Sequence, residues 1–157
     1  MSTHPHLTRR ALLAVSLSAV SVAPAIAAEV DPRSRLLDAV TPRSKISLIY
    51  VGAWNCQSCI WWKKRNVGDE ERALLARVSL REVDVPNFRD LTYLPAWPED
   101  LRWFQARLGL RSGTPRFYAL VENPDGNAEW FGGFGTGRWA RDILPLAEEA
   151  VRKRDGA

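Results

Sequence analysis

Two cysteines three positions apart, Cys56 and Cys59, are the only ones in 157 residues. They follow an apolar run, Ile46-Ser47-Leu48-Ile49-Tyr50-Val51, and a short connection, Gly52-Ala53-Trp54-Asn55. A strand passing into a helix that opens on Cys-x-x-Cys is the sequence form of a dithiol redox site. Positions i and i+3 share one face of a helix, so a disulfide there closes and reopens with little backbone movement. Cys56 is expected in the first turn, where unpaired N–H groups and the helix dipole favour a thiolate. Cys59 is expected one turn further in and more shielded. This asymmetry makes Cys56 the nucleophile toward a partner's disulfide and Cys59 the thiol that resolves the mixed disulfide. The motif alone is equally compatible with a structural disulfide or two inert thiols.

The chain is long enough for one domain with a real core, and its 46% apolar and 25% charged residues are ordinary for a globular protein. The formal charge is +4, and two of those charges, Arg9 and Arg10, lie in the first 28 residues, which hold no acid. The remainder carries 20 basic against 18 acidic residues. That balance, with no stripe of Lys and Arg interleaved with aromatics, argues against a nucleic-acid partner. Residues 1–28 read as an export signal. Arg9-Arg10 precede the apolar stretch Ala11 to Val20, and Ala25-Ile26-Ala27 supplies a small-residue cleavage pattern. Thr8-Arg9-Arg10-Ala11-Leu12-Leu13 also resembles the twin-arginine motif, with Leu12 where Phe is common and no Lys after Leu13. The stretch is short and Ser-rich for a membrane span, so cleavage is expected. No stable membrane insertion should remain. The expected location is periplasmic or secreted, an oxidising compartment for a cysteine pair, with residues 29–157 as a single domain.

Along that domain, Asp31-Pro32 reads as a helix start and Thr41-Pro42 as its end. Lys45 to Val51 reads as a central strand. The cysteine helix is expected to continue to Arg65. Adjacent positions point about 100° apart, so one of Trp61 and Trp62 packs inward and the other lies at the rim. Lys63, Lys64 and Arg65 read as a solvated face, Gly68 as the cap of one helix and Asp69 as the start of the next. A strand over Leu80–Val85 is closed by Pro86. Residues 86–98 hold three prolines and three aromatics in thirteen positions, the signature of an ordered loop that either rims the site or packs on the core. Glu99 to Leu108 reads as a helix ended by Gly109, Arg116 to Val121 as a strand, Asp125-Gly126 as a hairpin turn, and Ala128 to Phe131 as the return strand. Gly132 to Gly137 reads as a glycine-rich bend without the context of a phosphate loop. Trp139 to Val151 reads as a last helix, kinked at Pro145, with Ile143, Leu144, Leu146 and Ala147 inward.

This order resembles the thioredoxin superfamily over roughly Lys45 to Val151, and most closely its secreted oxidoreductases. Ala53-Trp54-Asn55-Cys56-Gln57-Ser58-Cys59, Gly113-Thr114-Pro115 before a strand, and Asp125-Gly126 followed by Gly132-Gly133 carry the match. The resemblance implies an α/β thioredoxin-like fold: a central mixed sheet of about four strands flanked by helices, with the 86–98 loop as an insertion. It implies a cis Thr114–Pro115 bond in a loop that faces the cysteines, and a partner chain bound at Trp54, Thr114 and Pro115. It implies thiol–disulfide exchange with protein thiols and disulfides of the bacterial envelope, an unidentified redox partner, and no cofactor. The chain is expected to be monomeric.

The sequence also departs from thioredoxin. Asn55 precedes the first cysteine where thioredoxin has Trp, and Gln57-Ser58 replaces Gly-Pro. Tyr50 stands where a buried acid is usual, which leaves Asp84, Glu82 or solvent as proton acceptors for Cys59. The absence of His within the motif favours a reductant or isomerase-like role. Two other classes remain: a non-catalytic binding module with a structural disulfide, and a metal carrier. The only histidines, His4 and His6, lie in the signal. A metal site would therefore have two thiolates and no imidazole, short of the usual set.

Overall fold

The computed structural model describes residues 31–156, so the expected export signal at 1–28 lies outside the described residues. Helix α1 (Pro32–Asp38) starts where its residues dictate. The Asp31 carboxylate accepts from the N–H groups of Arg33 and Ser34 at 3.4 and 3.3 Å, and Pro32 sits where no helical N–H is needed. The chain then enters β1 (Lys45–Ala53), buried at every position after Lys45. β1 pairs in parallel with β2 (Ser79–Val85) and antiparallel with β3 (Arg116–Glu122), and β3 pairs antiparallel with β4 (Ala128–Phe134). The strand order is β2-β1-β3-β4. A parallel pair needs a crossover, here α2 (Gln57–Lys63) and α3 (Asp69–Leu75).

Alternation along the strands splits the core into two layers. Tyr50 is opposite both Glu82 and Phe117 in register, and this face is covered by α2 and by the π turn Trp139–Ile143 that leads into α5 (Leu144–Asp155). The Tyr50 ring stacks on Trp62 at 4.3 Å, and Phe117 meets Trp139 at 5.4 Å. The opposite face is covered by α4 (Arg102–Leu108), whose Phe104 sets its edge against Tyr118 at 5.5 Å and Trp130 at 5.6 Å. The structure is thus a mixed four-stranded sheet flanked by helices. Among the described residues no helix is long and apolar enough to cross a membrane.

Several elements differ from the sequence expectations. β1 runs two residues further, because Gly52 and Ala53 continue the parallel ladder opposite Asp84 and Val85. β4 runs to Phe134: Gly132 and Gly133 are paired with Tyr118 and Phe117, and the bend begins only at Gly135. A side chain at Gly132 would collide with the Phe117 carbonyl, so this glycine marks close strand approach and not a turn. Gly68 caps only the start of α3, while α2 ends at Lys63 with Lys64 as its C-cap, short of the expected Arg65. Leu101 ends a 3₁₀ turn that feeds α4. Pro145 does not kink a continuous helix; it occupies the first turn of α5, just past the π turn. Leu144 is only half-buried.

Gly52 is the tightest point of β1. A Cβ there would overlap the Tyr50 phenol. Gly52→Ala is expected to cost about 1–3 kcal/mol of stability, the usual range for overpacking. Urea unfolding checks this; an unchanged midpoint would show that Tyr50 yields freely.

Candidate functional site

Cys56 is the N-cap of α2, with φ −108° and ψ 108°, rather than a residue inside the first turn. Its Sγ accepts a hydrogen bond from the Cys59 N–H at 3.2 Å. A donor aimed at a sulfur favours its charged form, and in a helix of seven residues this local bond matters more than the summed dipole. Cys56 and Cys59 form a disulfide with Cα atoms 5.2 Å apart, well within the span such a bond bridges. Cys56 is 8% exposed and Cys59 2%. The two residues are therefore unequal, Cys56 being slightly the more exposed at the helix start and Cys59 the more buried within it.

The Thr114–Pro115 peptide bond is cis, and the Thr114 carbonyl oxygen lies 3.6 Å from Cys56 Sγ. A disulfide sulfur has no proton to donate, so this is a contact; the reduced thiol can donate there. The Trp54 side chain is exposed (69%), and the main-chain N–H of Trp54 donates to the Val85 carbonyl at 3.1 Å, which pins the turn before Cys56 to the end of β2. Of the two adjacent tryptophans, Trp62 is the inward one at 5% exposure and Trp61 the rim one at 70%. The structure thus groups Cys56, Cys59 and Thr114 directly. Trp54 and Cys59 line one cavity of about 310 Å³ together with Tyr50, Ile60, Lys63 and Asp84.

One wall of that cavity brings the acids of β2 beneath the cysteine helix. Tyr50, Gly52, Glu82 and Asp84 share the face of the sheet beneath α2. Lys63, one helical turn beyond Cys59, reaches down and pairs with Asp84, and with Glu82 at 3.2 Å. Burial alone would lower the Lys63 pKa, but the bonds to the two carboxylates outweigh it and hold the ammonium charged. Burial, reinforced by Asp84 and Glu82, keeps the Tyr50 phenol protonated well above its ordinary range. Its hydroxyl has no partner among the described residues. Of the two acids expected to serve Cys59, Asp84 lines the same cavity as that cysteine, and Glu82 is joined to it through Lys63.

Arg65 is not on a solvated face. Its guanidinium lies 3.9 Å over the Trp62 ring, donates to the Trp62 carbonyl at 2.9 Å and pairs with Glu71. Glu71 also accepts from Trp139 Nε1 at 2.9 Å. The 86–98 segment serves both roles open to it. Leu91 and Trp97 are buried, with Trp97 Nε1 donating to the Leu91 carbonyl at 2.9 Å. Its first residues reach the site through Asn87 and Phe88, which the sequence did not single out. Among the described residues no three of His, Cys, Asp and Glu gather as a metal-ligand set.

No protein-family model matches the chain, and no curated protein matches it. Among solved structures the chain is similar to a thioredoxin from Thermus thermophilus, at 22% identity over 69% of this chain and 75% of that one, with a TM-score of 0.46. It is also similar to a structure titled DsbH Oxidoreductase, at 16% identity over 73% of this chain and 81% of that one, with a TM-score of 0.38. With a Cys-x-x-Cys helix crossing between parallel β1 and β2, and a cis-proline loop leading into antiparallel β3, the chain has a thioredoxin-like fold.

Proposed function

We propose that this protein is a thiol–disulfide oxidoreductase of the bacterial envelope, working as a reductant through Cys56 and Cys59. One observation carries the reading: the two cysteines of one disulfide differ in setting, and the less buried residue, Cys56, faces the Thr114 carbonyl. In the reduced protein the Cys56 thiolate attacks a partner's disulfide. The Cys56–partner bond forms, and one partner sulfur leaves as a thiolate and takes a proton. Cys59 then loses its proton and attacks Cys56 Sγ. The Cys56–Cys59 bond forms and the second partner sulfur leaves. Two electrons pass to the partner, and a donor dithiol must return them. Thr114 offers its backbone to the partner chain, and Trp54 provides an exposed apolar wall beside it. The export signal read in the sequence supports the envelope location.

Equilibration with mixtures of reduced and oxidised glutathione, read by thiol alkylation, tests this. A reversible two-electron transition is expected. A pair that stays oxidised throughout, and exchanges with no thiol, would favour a structural disulfide.

Asp84 is the carboxylate that lines the same cavity as Cys59, and we assign it as the acceptor of the Cys59 proton. Asp84→Asn is expected to slow the resolving step by about tenfold, below the usual range for a direct general base because Lys63 already pairs with the carboxylate. Glu82→Gln, which leaves the Lys63–Asp84 pair intact, should change it little. Rapid-quench trapping of the mixed disulfide measures the step; equal rates in Asp84→Asn and the wild type would remove Asp84 from the mechanism.

A further inference from the structure

Asn55 is the residue immediately before the nucleophile, and its side chain bonds across the site. Its Oδ1 accepts from the Phe88 N–H at 3.1 Å, and its Nδ2 donates to Asn87 Oδ1 at 3.3 Å. The Phe88 carbonyl in turn accepts from the Gly113 N–H at 2.8 Å. Gly113 directly precedes Thr114, whose carbonyl faces Cys56 Sγ at 3.6 Å. These links close a ring: Cys56, Asn55, Phe88, Gly113, Thr114 and back to Cys56.

The far side of the ring is also fixed. Leu91 N–H donates to the Arg111 carbonyl at 3.0 Å, a second tie between the two loops, and Leu91 is itself buried. The Gly113 carbonyl accepts from Arg116 Nε at 2.8 Å. Gly113 therefore has both backbone groups bonded, one to each side. From the cysteine turn the ring is closed by two side chains, Cys56 through its sulfur contact with the Thr114 carbonyl and Asn55 through its hydrogen bonds to Phe88 and Asn87.

Resting on the redox reading above, we infer that Asn55 is a positioning residue. Through the Phe88 main chain it sets the gap between the nucleophilic sulfur and the backbone that receives a partner chain. The consequence differs by substrate. A disulfide held in a polypeptide must pair with the Thr114 backbone and present its sulfur to Cys56 at the same time. A small disulfide needs only the sulfur. Loss of the Asn55 amide leaves the Trp54–Val85 bond as the remaining tie between the cysteine turn and the start of this loop, so the gap is held less closely and the polypeptide is penalised selectively.

The test is the ratio of two second-order rates for the reduced protein, one with insulin and one with hydroxyethyl disulfide. Asn55→Ala is expected to lower the insulin rate about tenfold, the scale of one or two lost hydrogen bonds. The hydroxyethyl disulfide rate should stay within about threefold, since thiolate character is little changed. Asn55→Asp keeps an oxygen for the Phe88 N–H but places a negative charge beside the thiolate. Both rates should then fall together and the ratio should stay as in the wild type. A purely structural role would shift the unfolding midpoint without moving the ratio. An unchanged ratio in Asn55→Ala, or a ratio lost equally in Asn55→Asp, overturns the positioning role. A wild-type protein inert toward both disulfides overturns the redox reading itself, and the inference with it; that result is distinct from an active protein with an unchanged ratio.

Discussion

Cys59→Ser is expected to leave Cys56 joined to its partner by a disulfide that survives on a non-reducing gel. In the native pair the resolving sulfur is covalently positioned beside Cys56, with Cα atoms 5.2 Å apart and the Cys59 N–H already on Cys56 Sγ. Such proximity is equivalent to a very high local thiol concentration, on the order of 10⁵ M or more in well-oriented cases. Millimolar external thiol replaces it poorly, so the mixed disulfide should live longer by on the order of 10³-fold or more. Serine is close in size to cysteine, and Cys59 is buried at the inner end of the first turn of α2, so the fold should tolerate the change. Cys56→Ser should trap nothing, because Cys59 is shielded behind it. The measurement uses a disulfide-bonded protein of known sequence, with mass spectrometry to place the linked cysteine. If Cys59→Ser forms no adduct while its Cys56 thiol is free, the nucleophile assignment is wrong. If both single mutants trap equally, the inequality between the sulfurs has no chemical consequence.

Much of the frame was legible in the residues because local chemistry dictates it. Asp31-Pro32 can only start a helix well, the apolar run before the cysteines suits a covered strand, and Asp125-Gly126 permits the positive φ that a tight hairpin uses, 85° at Gly126. What was illegible depends on pairing across the sheet. Gly132-Gly133 reads as a bend until Tyr118 and Phe117 are seen opposite it. The run Lys63-Lys64-Arg65 reads as one solvated face, yet its members part company. Lys63 is drawn to the acids of β2, and Arg65 lies on Trp62 three residues back. The second contact had a signal in the sequence, since i and i+3 meet on a helix; the first had none, because nothing local places Asp84 beneath α2. The same holds for Asn55. Its replacement of a tryptophan was visible, but its bonds to Asn87 and Phe88 need the tertiary fold.

Trp62→Ala should destabilise the protein by about 3–5 kcal/mol, the usual cost of removing a large buried aromatic. Trp61→Ala, one residue away, should stay within about 0.5 kcal/mol, as expected for an exposed position. The contrast follows from packing. Within α2 only Cys59 and Trp62 are buried, so Trp62 is the helix's one large anchor in the core. Its ring stacks on Tyr50 at 4.3 Å and meets Phe117 and Trp139 at 5.1 and 5.2 Å. Its outer face carries the Arg65 guanidinium at 3.9 Å, and Arg65 in turn holds Glu71, the acceptor for Trp139 Nε1. Truncation therefore opens a cavity lined by three aromatics and leaves Arg65 without its platform. Trp62→Phe keeps a stacking partner for Tyr50 and loses no needed donor, since Trp62 Nε1 has no partner among the described residues. It should recover more than half of the loss. Urea unfolding of the oxidised proteins measures all three. Because α2 also carries the resolving cysteine, Trp62→Ala should loosen the seat of Cys59 and slow resolution, whereas Trp61→Ala should not. Equal stability for the two alanine variants would mean that the helix is held by something other than Trp62, and the aromatic wall would then not be what fixes the cysteine pair against the sheet.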